Sequence, residues 1–401
     1  MTATAPSNTV KIRRNPLDFF VLFTFYIYTF FTKIIKPFLG LAIPTVKKLL
    51  ERKLKPVGIG VNTGAPGDLK ITNDQAYLKF LLEGDLGAIE SVMRGYLEYD
   101  GVKTFEKVFE SRKFHAIAHP LYSILNKSQL QLPMKGWSSG EQPGTDLFKI
   151  MLEENMQYSC GYWRNATNLK EAQEAKLDLI ARKLHLKPGM RVLDVNCTWG
   201  GLAKYLAKNH NVEVVGYTSS KQQKTFADKL CKDLSVDIRI GSYLDLGAEE
   251  FDRVVSVGSL ENVVAKSYQD VFQRLKSALK DDGLLLVQEM GISHKSSPSL
   301  LWCQKYGYIP HHKDIINALD DVLIIEDWHN FGYDCYKTFE AWEQNLEKAW
   351  SKLVFRYGDE FRRMWLLYLH AFQAMWKTRA GQVWQIVLSK DGIKEGYQSY
   401  R

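Results

Sequence analysis

Val192-Leu193-Asp194-Val195-Asn196-Cys197-Thr198-Trp199-Gly200-Gly201 is the stretch that decides the fold. An apolar run ends at an acidic residue, turns sharply, and opens an amphipathic stretch at Leu202. A buried strand passing through a tight loop into a helix reads this way in nucleotide-binding α/β proteins. Such loops are rich in glycine, because side chains would block the ligand and some positions need a positive φ. Gly200 and Gly201 meet that need, while Asn196 and Thr198 stand where two further glycines are expected. Asn tolerates the left-handed region; Thr, being β-branched, does not.

Outward from the loop, short apolar runs alternate with helical patterns. The runs are Arg191–Val195, Glu213–Gly216, Asp237–Ile240, Arg253–Val257 and Gly283–Gln288, with amphipathic Lys221–Leu234 and Ser267–Leu279 between them. This alternation predicts βαβ units and a parallel sheet covered on both faces, with ligands at the carboxyl ends of its strands. Leu300 to Ile386 is dense in Trp and Tyr at helical spacing and ends in a strand-like run, Val383–Leu388. Upstream, residues 73 to 128 show helical spacing through Leu78, Phe80, Leu81, Leu82, Ile89, Val92, Met93 and Tyr96. Turn-rich Gly58–Asp68 and Gly136–Thr145 flank that region.

Composition narrows the class. With 401 residues, 45% hydrophobic and 24% charged, the chain can bury a large core, as one large or two smaller units. The aromatic content of 12% suits a protein that takes a large apolar ligand. The net charge of +8 comes without a basic run interleaved with aromatics, so lipid or solubility is favoured and no nucleic acid is expected. Cys160, Cys197, Cys231, Cys303 and Cys335 are scattered without CxxC pairs or His partners at metal spacing. They read as reduced thiols in a cytosol-facing protein, with no metal site.

At the N-terminus, Phe19–Thr32 is fourteen residues long without a charge, preceded by Lys11, Arg13 and Arg14 and followed by Lys33 and Lys36. A second apolar piece, Pro37–Val46, precedes Lys47, Lys48, Arg52, Lys53 and Lys55. Fourteen residues fall short of the roughly 20 that span a bilayer. An interfacial or anchoring segment over about 17–46 is the preferred reading, since a lipid interface attracts basic flanks and aromatics. The expectation is a protein associated with a membrane through its N-terminus, its catalytic domain facing the cytoplasm. A helix packed against the protein's own body is the alternative; a signal peptide is disfavoured because no small-x-small cleavage site follows.

Ordered matches extend around these elements. They are Leu82-Glu83-Gly84-Asp85-Leu86-Gly87, Met156-Gln157-Tyr158-Ser159-Cys160-Gly161-Tyr162-Trp163, Val215-Gly216-Tyr217-Thr218-Ser219-Ser220-Lys221-Gln222-Gln223, Glu326-Asp327-Trp328-His329-Asn330-Phe331-Gly332 and Val383-Trp384-Gln385. With the loop, they resemble the cyclopropane fatty acid synthase family from about residue 55 to about residue 390. The resemblance implies an α/β fold with a Rossmann-like, seven-stranded methyltransferase sheet. Residues 1–54 would form the apolar N-terminal tail, 55–150 a helical region and 151–401 the catalytic domain.

It also implies an activity: transfer of a one-carbon unit from S-adenosyl-L-methionine (SAM) to an unsaturated acyl chain of a membrane lipid or another apolar acceptor. Asp194, Asn196, Thr198, Trp199, Gly200, Gly201, Thr218, Ser220, Gln223 and Ser242 would bind SAM. Cys160, Glu261, Gln288 and Tyr336 would stand at the reacting centre, with bicarbonate as the family's proton acceptor. The expected partners are a phospholipid or other unsaturated lipid and a membrane surface; whether a second copy joins in a homodimer stays open. The chain departs from the family in several places. Gln288 replaces a histidine, Cys335 replaces a tyrosine that Tyr336 would supply instead, and Ser242 replaces an acidic residue. Gly140-Glu141-Gln142-Pro143-Gly144-Thr145 stands in place of a His-Tyr-Asp-x-Gly-Asn motif. A non-catalytic lipid-binding protein that has lost SAM use therefore stays open beside the enzyme.

Overall fold

The computed structural model describes residues 43–113, 143–242, 245–293 and 309–401. A small antiparallel pair, β1 (Leu69–Ile71) and β2 (Leu97–Tyr99), lies among the N-terminal helices. The main sheet contains β3 (Arg191–Asp194), β4 (Glu213–Thr218), β5 (Val236–Ile240), β6 (Phe251–Val257), β7 (Leu279–Ile292), β8 (Ile324–Asn330) and β9 (Gly381–Ser389). Their order is β5-β4-β3-β6-β7-β9-β8, and only β9 runs antiparallel to its neighbours. All six strand-like runs of the sequence become strands.

β8 is the strand that hydrophobic pattern missed. It pairs on one side only, carries an irregularity between Ile325 and Asp327, and leaves Ile324 and Ile325 exposed. An edge strand of this kind lacks the apolar alternation by which strands are read.

Three apolar layers follow from the sheet. One face of the sheet buries Leu193, Val254 and Leu285 against helices Tyr268–Ser277 and His312–Leu319. The other buries Val192, Val214 and Val255 against helices Leu169–Lys183 and Gly201–His210. A third, aromatic layer joins helices Thr145–Met151, Tyr333–Ala349 and Val354–Lys377.

The expected N-terminal membrane association is corrected here. Among the described residues no helix is long and apolar enough to cross a membrane. Phe19–Thr32 lies outside the described residues. What is described of the second apolar piece belongs to the helix Ile43–Leu54, which turns Val46, Leu50 and Leu54 into the body of the protein against Tyr77, Phe80 and Val57. Its basic residue Lys47 is also engaged internally, 3.1 Å from Asp74 and over the ring of Tyr77. Apolar side chains that find protein partners have no need of lipid, so the alternative reading holds for this helix.

Candidate active site at the carboxyl ends of the strands

The strand order reverses between β3 and β6, and ligands of open α/β sheets bind in the crevice outside that point. The loop after β3 lies there. Asn196 reaches across the crevice, its Nδ2 donating to the Gly258 carbonyl beyond β6 at 3.0 Å. Cys197 donates its amide to the Tyr217 carbonyl of β4 and packs against Gly216, where a Cβ would come within 2.9 Å of the Cys197 Cβ. Thr198 takes φ +48° and Gly200 φ +81°. The left-handed residue expected to be a glycine is thus held by a β-branched side chain, which stores local strain. Gly200 and Gly201 are required by close approach: a Cβ on Gly200 would press Ala227 at 2.8 Å.

Asp194 ends β3 fully inside the protein, and neither carboxylate oxygen has a hydrogen-bond partner. Burial pushes its carboxyl up to about 7; the nearby Asn196 amide, which falls short of hydrogen-bond geometry, and the Lys176 ammonium oppose that only in part. Lys176 is itself buried, bonded to Gln157 and to Ser159 at 3.0 Å, and burial lowers its ammonium to about 8. A bare carboxylate in this position is poised for a ligand carrying hydrogen-bond donors.

It also predicts a pH effect. An unfolded aspartate releases its proton near pH 4, whereas folded Asp194 keeps its proton up to about 7. Between those values the folded chain binds more protons than the unfolded one, so ligand-free stability falls as pH rises through that window and levels off above it. Glu261, also raised to about 7, acts in the same direction. Urea midpoints taken on both sides of the window should show the fall, and Asp194→Asn should remove part of it. An unchanged slope in that variant would exclude Asp194 as a source.

The remaining cofactor residues read from sequence line the same end of the sheet. Thr218 closes β4 and donates to Gln223 Oε1 at 2.7 Å, while Ser220 caps the helix Lys221–Leu230 by accepting from the Gln223 amide. Ser242 follows β5, and its amide donates to Asp245 Oδ2 at 2.7 Å. Asp245 was not singled out from sequence. It returns a carboxylate to the neighbourhood of Ser242, and its signal was an acidic residue three positions on, in a turn. Trp199 is buried with its indole N–H unpartnered and leans on Phe148 at 4.6 Å. Phe148, Tyr158, Trp342 and Phe339 continue from it as a chain of touching rings. Gly140, Glu141 and Gln142 lie outside the described residues; Gly144 donates its amide to the Tyr357 hydroxyl at 2.9 Å.

A second group of side chains gathers beside the loop. Cys160 and Cys335 are buried with their thiols facing each other, and Cys335 also feels Glu261; burial and these neighbours push its thiol well up. Glu261 lies against Gly258, where a Cβ would stand 3.3 Å from its Oε1. Its Oε2 is shut off from solvent and unpartnered. Gln288 donates to the Cys160 carbonyl at 3.3 Å and accepts from Gln385 at 2.9 Å. Cys160, Glu261 and Gln288 are therefore brought together as read. Tyr336 is not. Its hydroxyl turns away to Glu340 at 2.7 Å, one helical turn on, because Cys335 occupies the inward face of the helix.

Glu289, next to Gln288 on β7, was missed. It is buried, and its Oε1 accepts from the amides of Ser259 and Leu260 at 2.7 and 2.9 Å, leaving Oε2 unpartnered. A single acidic residue inside an apolar strand was its only signal.

The mycolic acid cyclopropane synthetase family matches residues 141–386. The chain is 37% identical to the cyclopropane-fatty-acyl-phospholipid synthase of Escherichia coli (strain K12) over 88% of this chain and 96% of that protein. The chain belongs to the cyclopropane fatty acid synthase family. Among solved structures, the cyclopropane synthase MmaA2 from Mycobacterium tuberculosis is 25% identical, with a TM-score of 0.57 over 61% of this chain and 94% of that one. Coclaurine N-methyltransferase bound to N-methylheliamine and SAH shares the fold, with a TM-score of 0.64 at 19% identity over 76% of this chain and 99% of its own.

Two groups implied for a cyclopropane fatty acid synthase can be tested against these residues. SAM fits: Asp194 offers a bare buried carboxylate, and Gly200 and Gly201 let the loop approach closely. Bicarbonate does not fit. The Ser259 and Leu260 amides, which would suit an anion, already hold Glu289, and both hydrogen-bonding ends of Gln288 are engaged. Neither a cation nor a hydrogen bond pulls Glu261 back down, and a second buried carboxyl stands beside it. Like charge beside Glu261 and the buried Glu289 repels a further anion.

Proposed function

We propose that this protein transfers the methyl group of SAM to the double bond of an unsaturated acyl chain. It is a SAM-dependent methyltransferase of the cyclopropane fatty acid synthase family. The observation that carries the reading is the clasp from Asn196 to Gly258. It joins the loop bearing the bare carboxylate Asp194 to the turn bearing Glu261, whose Oε2 is closed off and unpartnered, so cofactor loop and reacting centre share one crevice. SAM, when bound, supplies an electrophilic methyl. The protein's part is to exclude water, surround a developing cation with aromatic faces and hold a group that takes a proton. Trp199, Phe148, Tyr158 and Trp342 provide the faces.

The acceptor in this reading is a phospholipid presented at a membrane surface, to which the net charge of +8 is suited. Sedimentation would show a homodimer as twice the chain mass. Titration calorimetry with SAM or S-adenosylhomocysteine is the first test, and binding is expected. Lipids from cells expressing the protein should then gain one methylene in mass spectra, and Asp194→Ala and Glu261→Ala variants should lose that gain. Absence of SAM binding would favour the non-catalytic lipid-binding reading. A bare carboxylate kept buried at the cofactor position speaks against that reading, because it destabilises the folded chain unless a ligand meets it.

A further inference from the structure

We infer that the buried carboxyl pair Glu261–Glu289 is the proton acceptor of ring closure, so that this chain carries its own base. The inference rests on the methyltransferase reading above and names a group within it. Its basis is geometric. Glu289 is fixed through Oε1 by the amides of Ser259 and Leu260, and Glu261 is the next residue of the same turn. The Glu289 carboxyl therefore sits against the backbone next to Glu261, and each glutamate keeps one buried oxygen, Oε2, without a partner. Gly258, with φ +63°, makes room for the Glu261 carboxyl and ties the turn to the SAM loop through Asn196. Cys335 is buried nearby, and its thiol is pushed well up by burial and by its neighbours Cys160 and Glu261.

Glu289 is buried and the charge of Glu261 acts on it, so charging both carboxyls together is disfavoured. The pair then has one negative charge and room for one more proton. Burial raises both groups, and the charge of Glu261 raises Glu289 further. A carboxylate raised in this way is a stronger base than an exposed one, as a general base working near neutral pH requires.

The step balances. The π electrons of the alkene form a carbon–carbon bond to the transferred methyl as its bond to sulfur breaks, leaving S-adenosylhomocysteine and a cation on the acyl chain. A C–H bond of the new methyl then yields its proton to the carboxyl pair, and the electrons of that bond close the ring. The pair passes from one proton to two and returns one to solvent before the next turnover.

The test uses the full chain with SAM and vesicles of monounsaturated phosphatidylethanolamine and phosphatidylglycerol. Ring product is followed by mass spectrometry, in buffer stripped of carbon dioxide and in buffer with added bicarbonate. Wild-type ring closure is expected to be the same in both buffers. Glu289→Gln retains the acceptor oxygen for the two amides and removes the negative charge. It is expected to bind SAM with wild-type affinity yet form ring product about 10²–10⁴-fold more slowly. Stimulation of the wild type by bicarbonate would overturn the inference, as would ring closure by Glu289→Gln within a few-fold of wild type. If that variant does not fold, the bicarbonate comparison on wild-type protein decides by itself. A wild-type chain that gives no SAM-dependent lipid product overturns the functional reading, and this inference with it. An active wild type with an equally active Glu289→Gln overturns this inference alone.

Discussion

Gly201→Ala is expected to cost about 3 kcal/mol or more of folding stability, because overpacking against fixed backbone exceeds the usual range for an added methyl. The methyl would overlap the Asn155 carbonyl oxygen and press the side-chain Nε2 of Gln157 at 2.7 Å. Neither neighbour is free to move. The Asn155 and Gln157 amides are both held by Glu153, and Gln157 is bonded to the buried ammonium of Lys176. The same segment runs on to Cys160, so the displacement would reach the reacting centre as well as the cofactor loop. Gly247→Ala is the control, since nothing lies within 4 Å of its added methyl. Denaturant midpoints of the two variants should differ widely. Equal midpoints would mean that the loop and the Asn155 segment do not pack as described.

Asp194→Asn is expected to weaken SAM binding by about 3–4 kcal/mol, roughly 10²–10³-fold, as two hydrogen bonds to a charged acceptor are replaced by weaker ones. The ligand-free protein should respond in the opposite sense. A neutral amide replaces a carboxyl for which burial is unfavourable, so above pH 7 the variant should be at least as stable as wild type. Calorimetry and urea unfolding on one preparation separate these effects. Loss of binding together with loss of stability would point to a structural role for Asp194. Undiminished binding would remove it from the cofactor site.

Much of the candidate site was legible because the loop after β3 carries its chemistry in consecutive residues. Asp194, Gly200 and Gly201 stand where a strand–turn–helix reading puts them, and Thr218, Ser220 and Gln223, named only through the resemblance, form one connected group. Gln288 and Cys160 were paired across 128 positions only through a resemblance, and the hydrogen bond between them gives that pairing a physical form. Tyr336 shows where adjacency in sequence misleads. Neighbouring residues on a helix point about 100° apart, so when Cys335 faces the core, Tyr336 faces Glu340. The end of the apolar piece Pro37–Val46, which opens the helix Ile43–Leu54, was misread for a related reason: basic flanks and apolar residues look alike whether they meet lipid or protein.

By itself, the sequence determined the α/β class, six of the seven main strands and the strand–loop–helix after β3, because periodicity and turn chemistry are local; the family came from a resemblance carried by ordered motifs along the chain. Tertiary structure decided the rest. It placed β8 at the sheet edge, turned the Ile43–Leu54 helix inward, forced Thr198 into a left-handed conformation, and set Glu289 beside Glu261 with two amides already taken. These outcomes depend on which groups distant parts of the chain bring into contact. Burial and charge at such meetings have no counterpart in any local pattern of residues.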